Sequence, residues 1–252
     1  MEDNEKVIKI DFYNEDGSLK DKEVFLSELN NIYDEVKEEK NCEENCPPRF
    51  IEMLIPDAEF DPKNVIDKYQ FIERKLYLDT EITEEVGRYV LERIQFWNAE
   101  DEYDNQEIEK RIPIQIYIDS PGGMITSAFQ VIDAIQNSKT PVITVATGTA
   151  YSAAFFILTA GHERQAFPNA TFLFHQGSGG TIGDAHKVLQ QSKFYESLLK
   201  QIKNHVLKTT NISEELYEKH ETDDWYFNAE KALKLGAIDK ISTDVNGGLY
   251  NE

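Results

Sequence analysis

The sequence is short of positive charge. Its 252 residues include 26 lysines and arginines against 47 aspartates and glutamates, which gives a formal net charge of −21. Such a negative field repels phosphate backbones, so nucleic acid is not an expected partner. Apolar residues make up 40% of the chain, which is enough for the core of one large domain or of one domain with an appendage.

Long apolar runs are also missing. No stretch approaches the roughly 20 residues that span a bilayer, and the longest, at residues 150–160, is interrupted by Ser152 and Thr159. Residues 1–5 are acidic and carry no apolar segment of a secretory signal. We therefore expect no membrane partner and a cytoplasmic location.

Cysteine is scarce. The two cysteines, Cys42 and Cys46, lie four residues apart, immediately before a double proline. A zinc site needs further ligands, and no histidine or second cysteine pair lies nearby in the sequence. A local disulfide is the next alternative, and two free thiols best fit a cytosolic composition. We expect no metal and no organic cofactor.

The character of the chain changes near residue 72. Residues 1–72 are rich in acidic residues and contain a segment with apolar side chains at helical spacing, residues 22–40. We interpret them as an acidic N-terminal extension. Residues 73–252 alternate short apolar runs with amphipathic segments, which predicts an α/β domain with a mostly parallel sheet. The predicted strands are 75–78, 114–118, 141–146 and 170–174; the predicted helices are 83–98, 126–137, 152–160, 184–209, 213–219 and 228–235; an acidic loop is expected at 99–110.

Ser152 lies where a predicted strand runs through small residues into an apolar helix. This position places its hydroxyl at the carboxyl end of the sheet, where open α/β sheets bind their ligands. The start of the helix offers free N–H groups, that of Ala153 among them, to a developing oxyanion. The alternative, and the commoner role of a serine at such a position, is a simple helix cap.

Three further elements complete the chemistry of acyl transfer. The Pro-Gly-Gly turn at residues 121–123 allows Gly123 to present a second N–H donor. His175 ends an apolar strand and is the expected base, with a structural histidine as the alternative. Asp224 is the expected acid that orients the imidazole, with Asp223 as its fallback. The other histidines are expected to be solvated: His162, His186, His205 and His220.

Four sequence runs in this order resemble the Clp protease proteolytic subunit (ClpP) family of serine peptidases. They are YIDSPGG at 117–123, GTAYSAA at 148–154, FPNATFLFHQ at 167–176 and AEKALKLGAID at 229–239. The likeness covers residues 74–241, about two-thirds of the chain. Matched position by position, it implies Ser152 as nucleophile, His175 as base and Asp224 as acid. It also implies an oxyanion hole formed by Gly123 and Ala153.

The resemblance implies a ClpP/crotonase-like ββα spiral with a handle helix, here about residues 184–209. It implies a ring-shaped homo-oligomer of fourteen subunits that hydrolyses peptides or unfolded proteins and works with a Clp ATPase unfoldase. The glycine-rich residues 177–183 would pair with the opposite ring or with substrate. Ala153 stands where the family usually has methionine, and Gly177 where it usually has proline. The long extension replaces a short pore-lining segment, which leaves docking of the ATPase open.

Two other classes of function compete with a serine endopeptidase. A crotonase-type acyl-CoA enzyme shares the superfold and uses two backbone amides, but it needs no Ser-His-Asp set, and an acidic chain suits the CoA phosphates poorly. A non-catalytic ClpP-like assembly or scaffold subunit would keep the fold and act through its extension. A related variant of the peptidase hypothesis is a maturation protease that works without an ATPase.

Overall fold

The computed structural model describes residues 62–177, 180 and 182–243, with side chains from residue 66 onward. The chain divides into two units between Ile72 and Glu73, and the first contributes one described helix, α1 (Pro62–Ile72). The helical segment expected at 22–40 and both cysteines lie outside the described residues. The assignment of residues 1–72 to an extension and of 73–252 to a peptidase domain stays a prediction.

The second unit alternates strands and helices. Four of its helices begin at a side chain that accepts a hydrogen bond from the backbone N–H three residues later, namely Thr83, Asp184, Ser213 and Asn228. The elements in chain order are β1 (Lys75–Leu78), α2 (Glu84–Tyr103), a 3₁₀ turn (Ile108–Lys110), β2 (Ile114–Ser120), α3 (Ile125–Gln136), β3 (Val142–Tyr151), α4 (Ala153–Leu158), β4 (Glu163–Ala166), β5 (Thr171–Phe174), α5 (Ala185–Thr209), α6 (Glu214–His220), β6 (Trp225–Asn228), α7 (Ala229–Lys234) and β7 (Lys240–Ile241).

The strands form one mixed sheet. Strands β1, β2, β3, β4 and β7 are neighbours in that order, and every pair among them is parallel. Strand β5 pairs in parallel with the carboxyl-terminal part of β3, and β6 runs antiparallel to β5. The predicted α/β class with a mostly parallel sheet is therefore confirmed. Since β3 is ten residues long, it can pair with β4 along one part and with β5 along another.

Helix α4 lies inside the hydrophobic core. All six of its residues are buried, which a helix tolerates only when apolar elements surround it. Phe155 and Phe156 each make an edge-on ring contact with Phe174 of β5. Full burial of one such ring stabilises the fold by roughly 1.5–3 kcal/mol. The helix that follows Ser152 is consequently held from several sides.

Helix α2 is longer than the sequence pattern suggests. It continues to Tyr103, so the acidic loop expected at residues 99–110 begins five residues later than predicted. The reason is Asp101, which is buried and accepts hydrogen bonds from both terminal nitrogens of Arg74, at 2.8 and 2.7 Å. The Thr140 hydroxyl donates a third, at 2.6 Å. In the sequence, a charged residue such as Asp101 favours an exposed loop, because the pattern does not reveal that it pairs with an arginine inside the protein.

Three short strands escaped the sequence analysis: β4, β6 and β7. Strand β4 carries no apolar run, β7 has only two residues, and the aromatic run of β6 is only three residues long. Helix α5, the expected handle, agrees with its predicted range; its buried residues begin at Leu198, so its amino-terminal half stands away from the body of the unit. Within the described part of the chain, every helix is too short or too polar to span a bilayer.

Candidate active site

Ser152 occupies a strained position between β3 and α4. Its backbone has φ +53° and ψ −122°, a combination that L-residues rarely adopt. Its N–H donates to the Leu173 carbonyl at 2.9 Å, and its carbonyl accepts from the Phe155 N–H at 3.0 Å. These two bonds hold a conformation that costs on the order of 1–3 kcal/mol. Strain of this kind clusters at functional sites.

The Ser152 hydroxyl does not cap the helix that it precedes. No side-chain capping bond is formed at this position, although Ser152 is the residue before α4. A capping serine has an extended backbone and an oxygen directed at the N–H groups of the first turn. The capping alternative therefore does not describe this serine, and its hydroxyl stays available for chemistry.

The glycine turn lies directly against the serine. A Cβ atom added at Gly122 would lie 2.8 Å from Ser152 Cβ and 2.6 Å from the Tyr151 carbonyl oxygen. Gly122 has φ +98° and Gly123 has φ +149°, values that glycine adopts without a steric cost. Only residues without side chains allow the turn to approach the nucleophile this closely.

The turn is held in place by the segment after β1. Ile82 donates its N–H to the Gly122 carbonyl and accepts the Met124 N–H, both at 2.8 Å. The buried Ser120 hydroxyl donates to the Thr80 carbonyl at 2.5 Å and accepts the Gly122 N–H at 3.2 Å. Ser120 and Ile82 had no predicted role. For Ser120, the available signal in the sequence was a small hydroxyl residue directly before the Pro-Gly-Gly turn.

Gly123 and Ala153 both keep a free N–H group. Ile82 bonds to the residues on either side of Gly123 but not to Gly123 itself, and Ala153 is the first residue of α4. Neither N–H donates a hydrogen bond within the described residues. Both residues line one cavity together with Ser152. Two unused donors beside a hydroxyl are the arrangement that stabilises an oxyanion.

The pairing of β5 with β6 brings His175 and Asp224 together. The antiparallel ladder ends with Phe174 opposite Trp225. One step further in the same register, His175 lies opposite Asp224, and residues opposite each other in such a pair carry their side chains on the same face. The His175 Nδ1 lies 3.1 Å from Asp224 Oδ1. Asp223 falls one position out of this register and is exposed.

The serine and the histidine share the cavity without a direct bond. His175 lines the same cavity as Ser152, yet no hydrogen bond joins the two side chains among the described residues. Catalytic hydrogen bonds are often loose before substrate binds. The Asp224 side chain is 62% exposed and that of His175 is 25% exposed, so solvent and salt screen their interaction.

A second hydrogen bond ties the histidine segment to the loop that carries the acid. The Gln176 Nε2 donates to Glu221 Oε2 at 3.1 Å. Glu221 follows α6 and Asp224 precedes β6, so this bond spans the same two segments as the His175–Asp224 pair. Across this loop, His220 at the end of α6 stacks on Trp225 at the start of β6, with ring centroids 4.1 Å apart. The sequence pattern predicts no supporting role for Gln176 or Glu221.

The cavity has a volume of about 380 Å³, and its walls present polar and apolar surface in similar amounts. Helix α5 provides one wall, which includes Leu198 and Ile202, and α4 provides Phe156. The Tyr195 hydroxyl, also from α5, reaches the Gln176 carbonyl at 3.5 Å. His175 is the one histidine among the described residues of the lining, and histidine is the usual base beside a serine nucleophile.

One histidine that was expected to be solvated is buried. His205 is only 9% exposed, and burial lowers its pKa. That expectation was wrong, because charged neighbours in the sequence do not reveal which face of a helix a histidine occupies. His162 is exposed, as expected, although its Nδ1 accepts the Val142 N–H at 2.9 Å and partial desolvation lowers its pKa.

No group of acidic, histidine or cysteine side chains within the described residues is arranged to hold a metal ion. The alternatives for Cys42 and Cys46 lie outside that part of the chain. The expectation of no cofactor stays a prediction.

Comparisons with known proteins agree on one family. The family model of Clp protease matches residues 61–245. The chain is 30% identical over 175 residues to ATP-dependent Clp protease proteolytic subunit 3 of Synechococcus sp. (strain CC9902), covering 68% of this chain and 82% of that protein. It is also 30% identical over 183 residues to the ATP-dependent Clp protease proteolytic subunit of Chlorella vulgaris, covering 71% of this chain and 87% of that protein.

Proposed function

The chain belongs to the Clp protease family and is a peptidase of that family, and on this premise we propose that it is a serine endopeptidase with Ser152 as its nucleophile. The observation that carries the proposal is the order of three adjacent strands. Ser152 follows β3, His175 follows β5 and Asp224 precedes β6, and β5 pairs with both of the others.

The proposed reaction begins at the Ser152 hydroxyl. His175 takes the proton of this hydroxyl on Nε2 as the oxygen attacks the scissile carbonyl, while Asp224 accepts a hydrogen bond from Nδ1–H and stabilises the imidazolium. The carbonyl oxygen becomes an oxyanion that accepts hydrogen bonds from the N–H groups of Gly123 and Ala153. His175 returns the proton to the leaving amine, and water then hydrolyses the acyl-enzyme by the same steps.

The cavity indicates the class of substrate. Apolar side chains form part of its wall, Phe156, Leu198 and Ile202 among them, so an apolar side chain next to the scissile bond gains from burial against them. A charged side chain would lose its hydration without gaining an opposite charge. We propose peptides or unfolded segments with an apolar residue before the cleaved bond as substrates.

Assembly into rings is part of the same proposal. The amino-terminal half of α5 is exposed and carries large apolar side chains, Leu189 at 60% and Phe194 at 61% exposure. A second copy of the chain would cover them. A Clp-type ATPase as partner, a fourteen-subunit ring and a cytoplasmic location follow from the family resemblance and belong to the proposal as well.

A fluorophosphonate probe tests the nucleophile. The native protein should become labelled at Ser152, and Ser152→Ala should lose both the label and the hydrolysis of apolar peptides. Mass photometry on the same sample reports whether rings are present. A ring that neither labels nor cleaves peptides would refute the peptidase and favour the scaffold alternative. The family assignment already favours a peptidase over the acyl-CoA alternative.

A further inference from the structure

His205 lies in the buried contact between helices α5 and α4. It is on α5, one turn after Ile202, and it is 9% exposed. Its Nε2 lies 2.9 Å from the Phe156 carbonyl oxygen and 2.9 Å from the Thr159 hydroxyl oxygen. The Thr159 hydroxyl itself donates to the same carbonyl at 3.0 Å. The three groups form a closed triangle at the carboxyl end of α4.

The triangle assigns the protonation of the histidine. A carbonyl oxygen can only accept, and the one proton of the Thr159 hydroxyl is directed at that carbonyl. Nε2 must therefore carry hydrogen, since a lone pair there would face the carbonyl lone pairs at 2.9 Å. Burial lowers the pKa of His205, so the ring stays neutral with its hydrogen on Nε2.

The Phe156 carbonyl needs this donor. It belongs to the last turn of a six-residue helix, where carbonyls lack partners further along the helix. The Ala160 N–H, which would serve Phe156 in a longer helix, donates to the Ile157 carbonyl instead. Within the described residues, Phe156 is thus served by the side chains of Thr159 and His205.

Helix α4 connects this triangle to the reacting groups. Its first residue is Ala153, one of the two proposed oxyanion donors, and its fourth is Phe156, whose side chain lines the cavity. Six helical residues extend only about 9 Å, so a shift at one end of the helix is felt at the other. A displacement of about 1 Å at a reacting centre can cost on the order of a hundredfold in rate.

We propose that His205 is a positioning residue for catalysis, which clamps the carboxyl end of α4 to α5 through its Nε2–H and thereby keeps the Ala153 N–H directed at the oxyanion. The inference rests on the proposed function for its effect on rate. The clamp itself is a property of the fold that can be measured without activity.

A pair of variants separates the hydrogen bond from the packing. His205→Leu keeps the apolar bulk and removes the N–H, whereas His205→Gln places an amide N–H2 near the position of Nε2. In His205→Leu, kcat for an apolar peptide and the rate of fluorophosphonate labelling should fall about tenfold or more with KM within about twofold, because a donor used in the transition state has moved. His205→Gln should recover to within about threefold of the native enzyme.

Hydrogen exchange measured by mass spectrometry supplies the readout that needs no activity. Amides of α4 should exchange faster in His205→Leu and at the native rate in His205→Gln, since the clamp limits local opening. Asn204→Leu serves as control: it makes a polar-to-leucine change at the adjacent exposed position of α5, and should change neither α4 exchange nor kcat. If His205→Leu fails to fold, it is replaced by His205→Phe, which keeps an aromatic ring but has no N–H donor.

The outcomes differ for the clamp and for the function. Three results would overturn the clamp: equal behaviour of His205→Leu and His205→Gln, unchanged α4 exchange in both variants, or a rise in KM at constant kcat. Each would indicate that His205 only packs against the cavity wall and does not position the donor. If the native protein does not label at Ser152, the proposed function fails. The clamp is then judged by hydrogen exchange alone: faster α4 exchange only in His205→Leu supports it, and unchanged α4 exchange overturns it.

Discussion

Gly123→Ala tests whether the glycine turn supplies an oxyanion donor. The added Cβ would lie 2.5 Å from the Ile82 carbonyl oxygen and 2.7 Å from the Ile82 nitrogen. An unstrained contact needs about 3.5 Å, so the turn must retreat by roughly 1 Å. The backbone φ of +149° is also one that alanine rarely adopts. The substitution therefore withdraws the Gly123 N–H from the place where charge develops.

Gly123→Ala should slow the chemical step rather than weaken substrate binding. Loss of one oxyanion donor lowers kcat by about a hundred- to a thousandfold, and KM should change little because the donor acts mainly in the transition state. The assay is steady-state hydrolysis of a peptide with an apolar residue before the cleaved bond. The melting temperature of each variant and its ring content are recorded beside it.

Gly236→Ala is the matched control. Gly236 has φ +63°, and a Cβ there would lie 2.5 Å from the Asn211 Nδ2. The substitution thus introduces backbone and steric strain outside the residues that line the cavity. The melting temperature should fall, while kcat of the folded protein stays within about threefold of the native value. A folded Gly123→Ala with kcat equal to that of Gly236→Ala would refute the assignment of Gly123 as a donor.

Three further expectations follow from the structure. Asp224→Asn should lower kcat by about a hundredfold or more, since the wrong imidazole tautomer is favoured; kcat within about threefold of the native value would contradict the role of this exposed acid. Asp101→Ala should cost up to about 3–5 kcal/mol in urea unfolding, because it leaves the buried Arg74 charge with the half-exposed Glu100 as its remaining acidic partner; a loss below about 1 kcal/mol would contradict the buried pair. Burial lowers the pKa of His205 below that of the unfolded chain, so the unfolded state binds more protons. The contribution of His205 to stability should be complete above about pH 6.5 and fall at lower pH, with a slope of up to about 1.4 kcal/mol per pH unit; an unfolding free energy that is flat from pH 7 to 5 would contradict this sign.

The pH dependence of the Asp101 pair has the same sign at lower pH. Burial opposes ionisation of Asp101, but hydrogen bonds from Arg74 and Thr140 outweigh it, so the pKa of Asp101 lies below its ordinary value. The ion pair therefore contributes its full stability above about pH 4 and loses it as the pH falls further.

Much of the site could be predicted from the sequence because its parts lie at the ends of apolar strands. Strand β2 and the helix after Ser152 are nearly continuous apolar runs, which local patterns reveal. The local pattern could name Asp224 as the partner of His175 only with Asp223 as its fallback. The pairing depends on β6, a four-residue strand that has no alternating pattern of its own and is specified by its partner β5.

The residues that support the site were hidden for a different reason. Ile82 acts through its backbone, and a backbone contact leaves no mark on residue type. His205 has charged and polar sequence neighbours, yet the helical turn directs it inward to α4. In the sequence, Ser152 cannot be told from a helix cap, whereas the structure distinguishes it by its positive φ and by the lack of a capping hydrogen bond.

The antiparallel register of β5 and β6 restricts how this part of the gene can change in length. Residues can be gained or lost between α6 and Asp224 so long as Asp224 stays next to the ladder that begins with Phe174 and Trp225. A single-codon deletion inside β6 that leaves the rest of the strand paired would shift the residues before it, Asp224 among them, by one position and turn their side chains to the opposite face of the sheet. The carboxylate would then leave the imidazole even though both residues survive in the sequence, so among natural variants of this chain we expect changes of length to avoid these four codons.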